Sequence, residues 1–180
     1  SIASRIKKWV GEPEKGNIYS QFFNSKKDNL DFKSKIVAFD MANVLKDPEL
    51  LSPTSYYIFH KFNQVIEESP SPHMFFIDEM QKYLESDSFN PHIISTLKES
   101  RKRNGIFVGC MQEASTLVNS KNGDEIISNL ATLIIFPNSK ARPEHYIDGL
   151  GLTDNEFDFV KNHANPRHVL IKKKDSHSVI

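Results

Sequence analysis

The chain has 180 residues, a length that corresponds to one domain or most of one. It carries 23 basic and 23 acidic side chains, and this zero net charge argues against a nucleic-acid-binding domain, because such domains are usually basic. Hydrophobic residues make up 38% of the chain without any apolar stretch long enough to span a bilayer. The single cysteine, Cys110, excludes an internal disulfide and suits a reducing cytoplasm.

The first seventy residues contain three predicted elements. Residues 2–10 form a short amphipathic pattern that Gly11 ends, and it predicts a helix. A strand is expected at residues 35–40, where apolar side chains run up to Asp40. The next helix is predicted to begin at Ser52 and Pro53, with serine as the N-cap and proline in the first helical position, and to end before Pro70.

The most informative stretch is residues 73–79, where four apolar residues run directly into Asp78 and Glu79. A continuous apolar run bounded by Pro72 and by acids predicts a strand that is buried on both faces. Two adjacent acids at the end of such a strand are typical of the Walker B site of P-loop NTPases. There the first acid supports Mg²⁺ and the second activates the attacking water. Alternatively, the two acids cap the helix that follows.

The rest of the chain alternates between helical and strand patterns. This alternation predicts an α/β fold with a mostly parallel sheet and helices on both faces. A helix from Asn90 ends at residues 101–103, with Asn104 and Gly105 as its stop signal. A capping box of Thr153 and Glu156 opens another helix. The predicted elements are the helix at 90–103, a strand at 106–111, helices at 113–118 and 124–130, a strand at 131–136, helices at 143–150 and 154–163, and strands at 167–172 and 176–180.

Polar residues follow the predicted strands at the edge where open α/β sheets bind their ligands. These residues are Asp40, Asp78 with Glu79, Gln112 and Asn138. A glutamine in this position can orient a water or contact a γ-phosphate, although Gln112 and Asn138 could also cap the next helices. The sequence contains no G-x-x-x-x-G-K-[ST] motif, so this segment lacks a loop that cradles phosphates and is expected to bind ATP poorly by itself.

Seven short segments, in this order and spacing, resemble the C-terminal part of the type IV secretion ATPases of the TrbE/CagE class, the fourth subunit of the VirB-type conjugation machinery. The stretch over which these segments occur covers roughly three-quarters of the chain. The segments are residues 39–41 (FDM), 47–48 (DP), 76–79 (FIDE), 101–105 (RKRNG), Gln112, 136–141 (FPNSKA) and 149–153 (GLGLT) with 156–157 (EF).

The resemblance implies a RecA-like P-loop ATPase that uses ATP and Mg²⁺. By the family's motifs, Asp78 would support Mg²⁺ through water, Glu79 would be the general base, and Gln112 would contact the γ-phosphate or the lytic water. Arg101 would be a finger acting on a neighbouring subunit's site, or otherwise a cation at a helix C-terminus. Asn138 and Lys140 match a loop near the nucleotide. Two departures from the family pattern are Met111 and Glu113, which replace a threonine and a serine on either side of the glutamine.

The resemblance also implies an assembly. Family members work as rings, expected to be hexamers, on the cytoplasmic face of the bacterial inner membrane, together with other subunits of the secretion channel. They energise pilus assembly and substrate transfer, and no direct nucleic-acid contact is expected of this segment. Residues 1–180 would then be the C-terminal portion of a RecA-like ATPase domain in a longer chain, inactive in isolation. The missing Walker A segment includes a central strand, so its absence would leave a gap in the sheet.

Two other functions are compatible with the sequence. One is a related DNA-translocating coupling ATPase of the same RecA-like branch, which the zero net charge disfavours for this segment. The other is a truncated, catalytically inactive paralogue that acts as an assembly or binding module, which the missing phosphate loop favours.

Overall fold

The computed structural model describes residues 6–12, 15, 17–68, 70–86, 89–173 and 176–179, the last four by their backbone. The chain divides into two compact units, Ser1–Ser69 and Pro70–Ile180. Within the described ranges, no helix has both the length and the apolar character that crossing a bilayer requires.

The described residues of the first unit include one long helix and two short helical segments. A 3₁₀ turn at Lys7–Trp9 stands where an amphipathic helix was predicted, and residues 2–5 of that prediction lie outside the described residues. A single helical turn, α1, covers Ser20–Phe23, and the long helix α2 covers Pro48–Glu68. The ring of Trp9 stacks on Tyr19 with centroids 4.6 Å apart.

Helix α2 begins at Pro48, so the predicted start at Ser52 and Pro53 was wrong. The Asp47 side chain accepts a hydrogen bond from the backbone N–H of Glu49 at 3.0 Å and caps the helix. Pro48 then occupies the first helical position, where its missing N–H removes no helical bond. Pro53 lies inside the helix. The predicted end before Pro70 is confirmed.

The strand predicted at residues 35–40 is not formed, although all six residues are described. They run as irregular chain, and Ile36 is 86% exposed. The Asp40 carboxylate accepts from the backbone N–H of Ala42 at 2.9 Å, which makes a local turn. A strand needs a neighbour to satisfy its backbone groups, and no described strand pairs with this segment.

The second unit begins with two parallel strands. Strand β1 covers His73–Ile77 and strand β2 covers Gly105–Gly109, both close to their predicted positions. They pair in parallel from His73 opposite Gly105 to Ile77 opposite Gly109. On one face the register partners Phe75 and Phe107 place their rings 6.2 Å apart and nearly parallel.

The other face of this parallel pair is open, so the prediction of strands buried on both faces and of helices on both sides was wrong for the described residues. The side chains of Met74 and Phe76 are each 58% exposed, and Ile106 is 56% exposed. We refer to these three residues as the open face. Their apolar character is that of a buried strand, but no described element covers them.

Short helices surround a core on the covered side of the pair. Helix α4 (Asn90–Ser100) packs against β2 and against helix α6 (Gly123–Asn129). The side chains of Phe89, Ile93 and Ile126 are fully buried. A 3₁₀ turn at Arg101–Arg103 follows α4, and Asn104 in the left-handed conformation leads into β2, as the stop signal predicted. The helices are α3 (Met80–Leu84), α4 (Asn90–Ser100), α5 (Ala114–Val118) and α6 (Gly123–Asn129).

The remaining strands form a separate antiparallel sheet, which differs from the mostly parallel sheet that was predicted. Its order is β3 (Thr132–Ile135), β4 (Leu170–Lys173) and β5 (Ser176–Val179). Only two residues separate β4 from β5, a connection that suits antiparallel neighbours. A π-helix at Glu144–Gly149 and helix α7 (Asp154–Asn162) lie between β3 and β4 in sequence, and the predicted capping box of α7 is confirmed.

Candidate functional site

The two acids of the apolar strand form a tight turn at its carboxyl end, which we call the acidic turn (Asp78 and Glu79). Oδ1 of Asp78 accepts a hydrogen bond from the backbone N–H of Glu79 at 2.9 Å. Glu79 adopts the left-handed conformation, with φ 51° and ψ 41°. For a residue with a side chain this conformation costs about 1–2 kcal/mol, and such residues cluster at functional sites.

The acidic turn is tied to the end of the neighbouring strand. The N–H of Cys110 donates to the carbonyl of Ile77, and the N–H of Met80 donates to the carbonyl of Cys110, both at 2.9 Å. Burial, and then the charge of Asp78, raise the pKa of the Cys110 thiol, which shows that the carboxylate lies close to this residue. The Asp78 carboxylate is exposed to solvent, and Glu79 is half-buried.

Gln112 lies at the same edge of the sheet as the two acids. It follows β2 by three residues, and β2 ends opposite the end of β1. Because the two strands are parallel, their carboxyl ends meet, and the exposed Gln112 is placed beside the acidic turn. The parallel pairing therefore puts Asp78, Glu79 and Gln112 at the same edge of the sheet.

Arg101 lies at the opposite end of the parallel pair. It precedes β2, whose first residue, Gly105, is paired with His73 at the start of β1. Four residue steps along a strand span about 13 Å, so the start of β2 and the acidic turn lie at opposite ends of the strand pair. Arg101 is thus not positioned by its own chain to complete this site.

Asn138 and Lys140 follow β3, which pairs with β4 and belongs to the other sheet. The side chain of Asn138 donates to the Tyr146 hydroxyl at 3.3 Å and accepts from the N–H of Lys140 at 3.0 Å. Its backbone N–H donates to the carbonyl of Val160 at 2.7 Å. These bonds hold the loop onto the π-helix and α7, and Lys140 is exposed. No hydrogen bond among the described residues joins this loop to the acidic turn.

The oxygen ligands at the acidic turn fit Mg²⁺ chemistry. Among the described residues, no three histidine, cysteine, aspartate or glutamate side chains are grouped so that they could hold a metal ion by themselves. Mg²⁺ usually binds one or two carboxylates, and phosphate oxygens and waters supply its other ligands. The carboxylates of Asp78 and Glu79 with the amide of Gln112 are compatible with that pattern.

From the sequence, Met80 is expected to matter less than the two acids that it follows. Its side chain is only 2% exposed and lies beneath the last residue of β2, Gly109. A signal was present, because a glycine inside an apolar strand indicates a close approach by another group.

The chain was compared with protein-family models, curated proteins and solved structures. No protein-family model matches the chain. The chain is 32% identical over 174 residues to the type IV secretion system protein VirB4 of Bartonella quintana. The aligned region covers 96% of this chain and 21% of that relative. VirB4 of Brucella suis is 28% identical over 184 residues, which covers 100% of this chain and 22% of the relative.

A solved structure shows the same fold. VirB4 of Thermoanaerobacter pseudethanolicus superposes with a TM-score of 0.66 at 16% identity, over 84% of this chain and 42% of that one. The sequence matches run along nearly the whole of the 180 residues, and the resemblance found in the sequence is therefore confirmed. This chain belongs to the VirB4 family of type IV secretion system proteins, and it spans 21% to 22% of the length of these relatives.

Proposed function

We propose that this segment carries the water-activating part of an ATP-hydrolysing motor in a bacterial type IV secretion system. The observation that carries the proposal is the acidic turn, with Glu79 in a left-handed conformation at the end of a parallel strand and beside Gln112. The names of the sequence relatives, which are type IV secretion proteins, support the biological setting.

In this mechanism, Glu79 is the general base that takes a proton from the water attacking the γ-phosphate of ATP. Asp78 would help to hold Mg²⁺, and its Oδ1 fixes the backbone of Glu79 by accepting its N–H. Gln112 orients the attacking water from the neighbouring strand. Mg²⁺, when bound, would neutralise the charge that develops on the phosphate oxygens.

The site needs a phosphate-binding loop, and the sequence of this segment does not contain one. Two free strand edges are compatible with a missing central strand. Among the described strands, β2 pairs only with β1, and β3 pairs only with β4 and not with β2. We propose that a strand ending in a phosphate-binding loop, from elsewhere in a VirB4-type chain, fits between β2 and β3.

Arg101 is proposed to serve a neighbouring subunit. Its position before the start of β2, at the end away from its own acidic turn, is compatible with a site across a subunit interface. This requires a ring, which we propose to be a hexamer on the cytoplasmic face of the inner membrane, in contact with channel subunits and active in conjugation. In this arrangement Asn138 and Lys140 would approach the nucleotide after assembly.

The test is a Glu79→Gln substitution in a full-length VirB4-type protein that carries this segment. We expect ATP turnover to fall by at least about 100-fold while nucleotide binding is retained, because the amide cannot accept the proton. Glu85→Gln is the matched control, since Glu85 is exposed just beyond α3, six residues away. If Glu79→Gln leaves both turnover and secretion unchanged, the motor assignment is wrong and a role as an assembly module is favoured.

A further inference from the structure

Met80 and Gly109 form a close contact beneath the acidic turn. The Met80 side chain is 2% exposed. A Cβ atom built on Gly109 would lie 2.3 Å from its sulfur and 3.1 Å from its terminal methyl carbon. Any residue larger than glycine at position 109 would therefore displace Met80. The methionine side chain occupies the space that the glycine leaves free.

Each of the two residues is close in sequence to one group of the proposed site. Met80 directly follows Glu79 in the chain, and Gly109 precedes Gln112 by three residues. The backbone of Met80 is also fixed, because its N–H donates to the carbonyl of Cys110 at 2.9 Å. Met80 thus holds the acidic turn to the end of β2 through both its backbone and its side chain.

This contact explains how Glu79 keeps an unfavourable backbone conformation. A residue in the left-handed region persists there only when its surroundings fix it on both sides. On one side the Asp78 carboxylate binds the Glu79 N–H, and on the other side Met80 is buried and hydrogen-bonded. If the Met80 side chain moved, the backbone of Glu79 would no longer be held on its C-terminal side.

We propose that Met80, packed against Gly109, is a positioning residue that holds the Glu79 carboxylate in register with Gln112. This inference rests on the proposed function, because Glu79 and Gln112 act on the same water in that mechanism. The role of Met80 is to set the relative position of the two side chains, and it does not touch the substrate. A buried residue that served only the stability of the core would not change the rate of the chemical step in a folded protein.

The experiment uses Gly109→Ala and Met80→Val in a full-length VirB4-type protein that carries this segment. The first change pushes Met80 away, and the second shortens the side chain that reaches Gly109. For each variant we expect kcat to fall about 10- to 100-fold, because a small misplacement of a catalytic group has effects of this size. The KM for ATP should stay within about twofold, since substrate binding does not involve Met80.

A buried control separates positioning from general stability. Ile126→Val removes one methylene from a fully buried side chain on α6, away from the acidic turn in sequence, and should leave kcat unchanged. The double variant Gly109→Ala with Met80→Val shortens the side chain that the added methyl group would otherwise meet. Its loss of kcat should be smaller than the product of the two single losses, because the two residues are in contact.

A second measurement does not depend on activity. Hydrogen exchange of the Met80 amide, which bonds to the carbonyl of Cys110, should become faster in Gly109→Ala but not in Ile126→Val. If Gly109→Ala does not fold, Met80→Val provides the same two readings. Unchanged kcat and unchanged exchange in the folded variants would overturn the inference.

Glu79→Gln is measured in parallel, so that failure of this inference can be told from failure of the proposed function. If the positioning variants show no effect but Glu79→Gln abolishes turnover, only the positioning role has failed. If Glu79→Gln also has no effect, the proposed function has failed too.

Discussion

At the scale of single residues, backbone geometry distinguishes the acidic turn from an ordinary helix cap. An acidic N-cap has an extended backbone and accepts an N–H from the first turn of its helix. Glu79 precedes α3 but is left-handed, and its side chain accepts no capping hydrogen bond. Glu79 therefore does not cap the helix through a side-chain hydrogen bond.

The pKa of the Asp28 carboxylate is lowered in the folded chain, and this shift predicts a pH dependence of stability. Its carboxylate accepts from the Tyr57 hydroxyl and from the N–H of Leu30, and it pairs with Lys61 at 3.1 Å. The Tyr57 hydrogen bond is the largest cause that lowers the Asp28 pKa from 3.8 to about 2. Between these pH values the unfolded chain binds more protons, so this contribution is complete above pH 3.8 and is lost as the pH falls towards 2.

We expect Asp28→Asn to flatten the pH dependence of the melting temperature between pH 2 and 3.8, measured by circular dichroism. Asp31→Asn is the matched control, because it removes an exposed carboxylate from the same loop. Tyr57→Phe should raise the Asp28 pKa towards its ordinary value in an NMR titration. An unchanged pKa in that variant would contradict the assigned cause.

At the scale of elements, local signals predicted the helix ends that depend on local bonds. Asn104 adopts the left-handed conformation expected of a helix stop, and Thr153 and Glu156 form the predicted capping box. The start of α2 was misplaced because Asp47-Pro48 and Ser52-Pro53 are both good start signals, and only the structure shows which is used. The strand at residues 35–40 was wrong for a different reason, since pairing depends on a neighbour that the local sequence does not specify.

The capping box of α7 is linked to β4 by a buried ion pair. Lys172 Nζ lies 3.0 Å from Oε2 of Glu156 and donates to the carbonyl of Gly151 at 2.7 Å. The two side chains are only 18% and 9% exposed. Lys172→Met would leave a buried carboxylate without this cation, which is expected to lower the free energy of unfolding by about 3 kcal/mol.

Urea denaturation measures this change. Lys173→Met is the matched control, because Lys173 is the next residue of β4 and is exposed. It should change the free energy of unfolding by less than about 0.5 kcal/mol. Equal effects of the two substitutions would show that the ion pair with Glu156 is not important for stability.

At the scale of the whole molecule, the described residues leave one face of the parallel pair open and the outer edge of β2 unpaired. Met74, Phe76 and Ile106 have the composition of buried strand residues and yet are more than half exposed. The outer edge of β2 has no partner among the described strands. Sequence reasoning from the residues present predicted full burial, because apolar runs report the environment of the complete protein. It could not show which parts of that environment lie outside the segment.

The proposed central strand makes a prediction about single amides of β2. Cys110 donates its N–H to β1, so by alternation the N–H groups of Ile106 and Val108 also point towards β1, whereas those of Phe107 and Gly109 point to the outer edge. In a full-length VirB4-type protein, a strand on that edge would accept the outer hydrogen bonds. Hydrogen exchange should then be as slow at Phe107 and Gly109 as at Ile106 and Val108, which are internal controls in the same strand. Fast exchange confined to Phe107 and Gly109 would mean that the edge stays open. The phosphate-binding loop would then have to reach the acidic turn without pairing with β2.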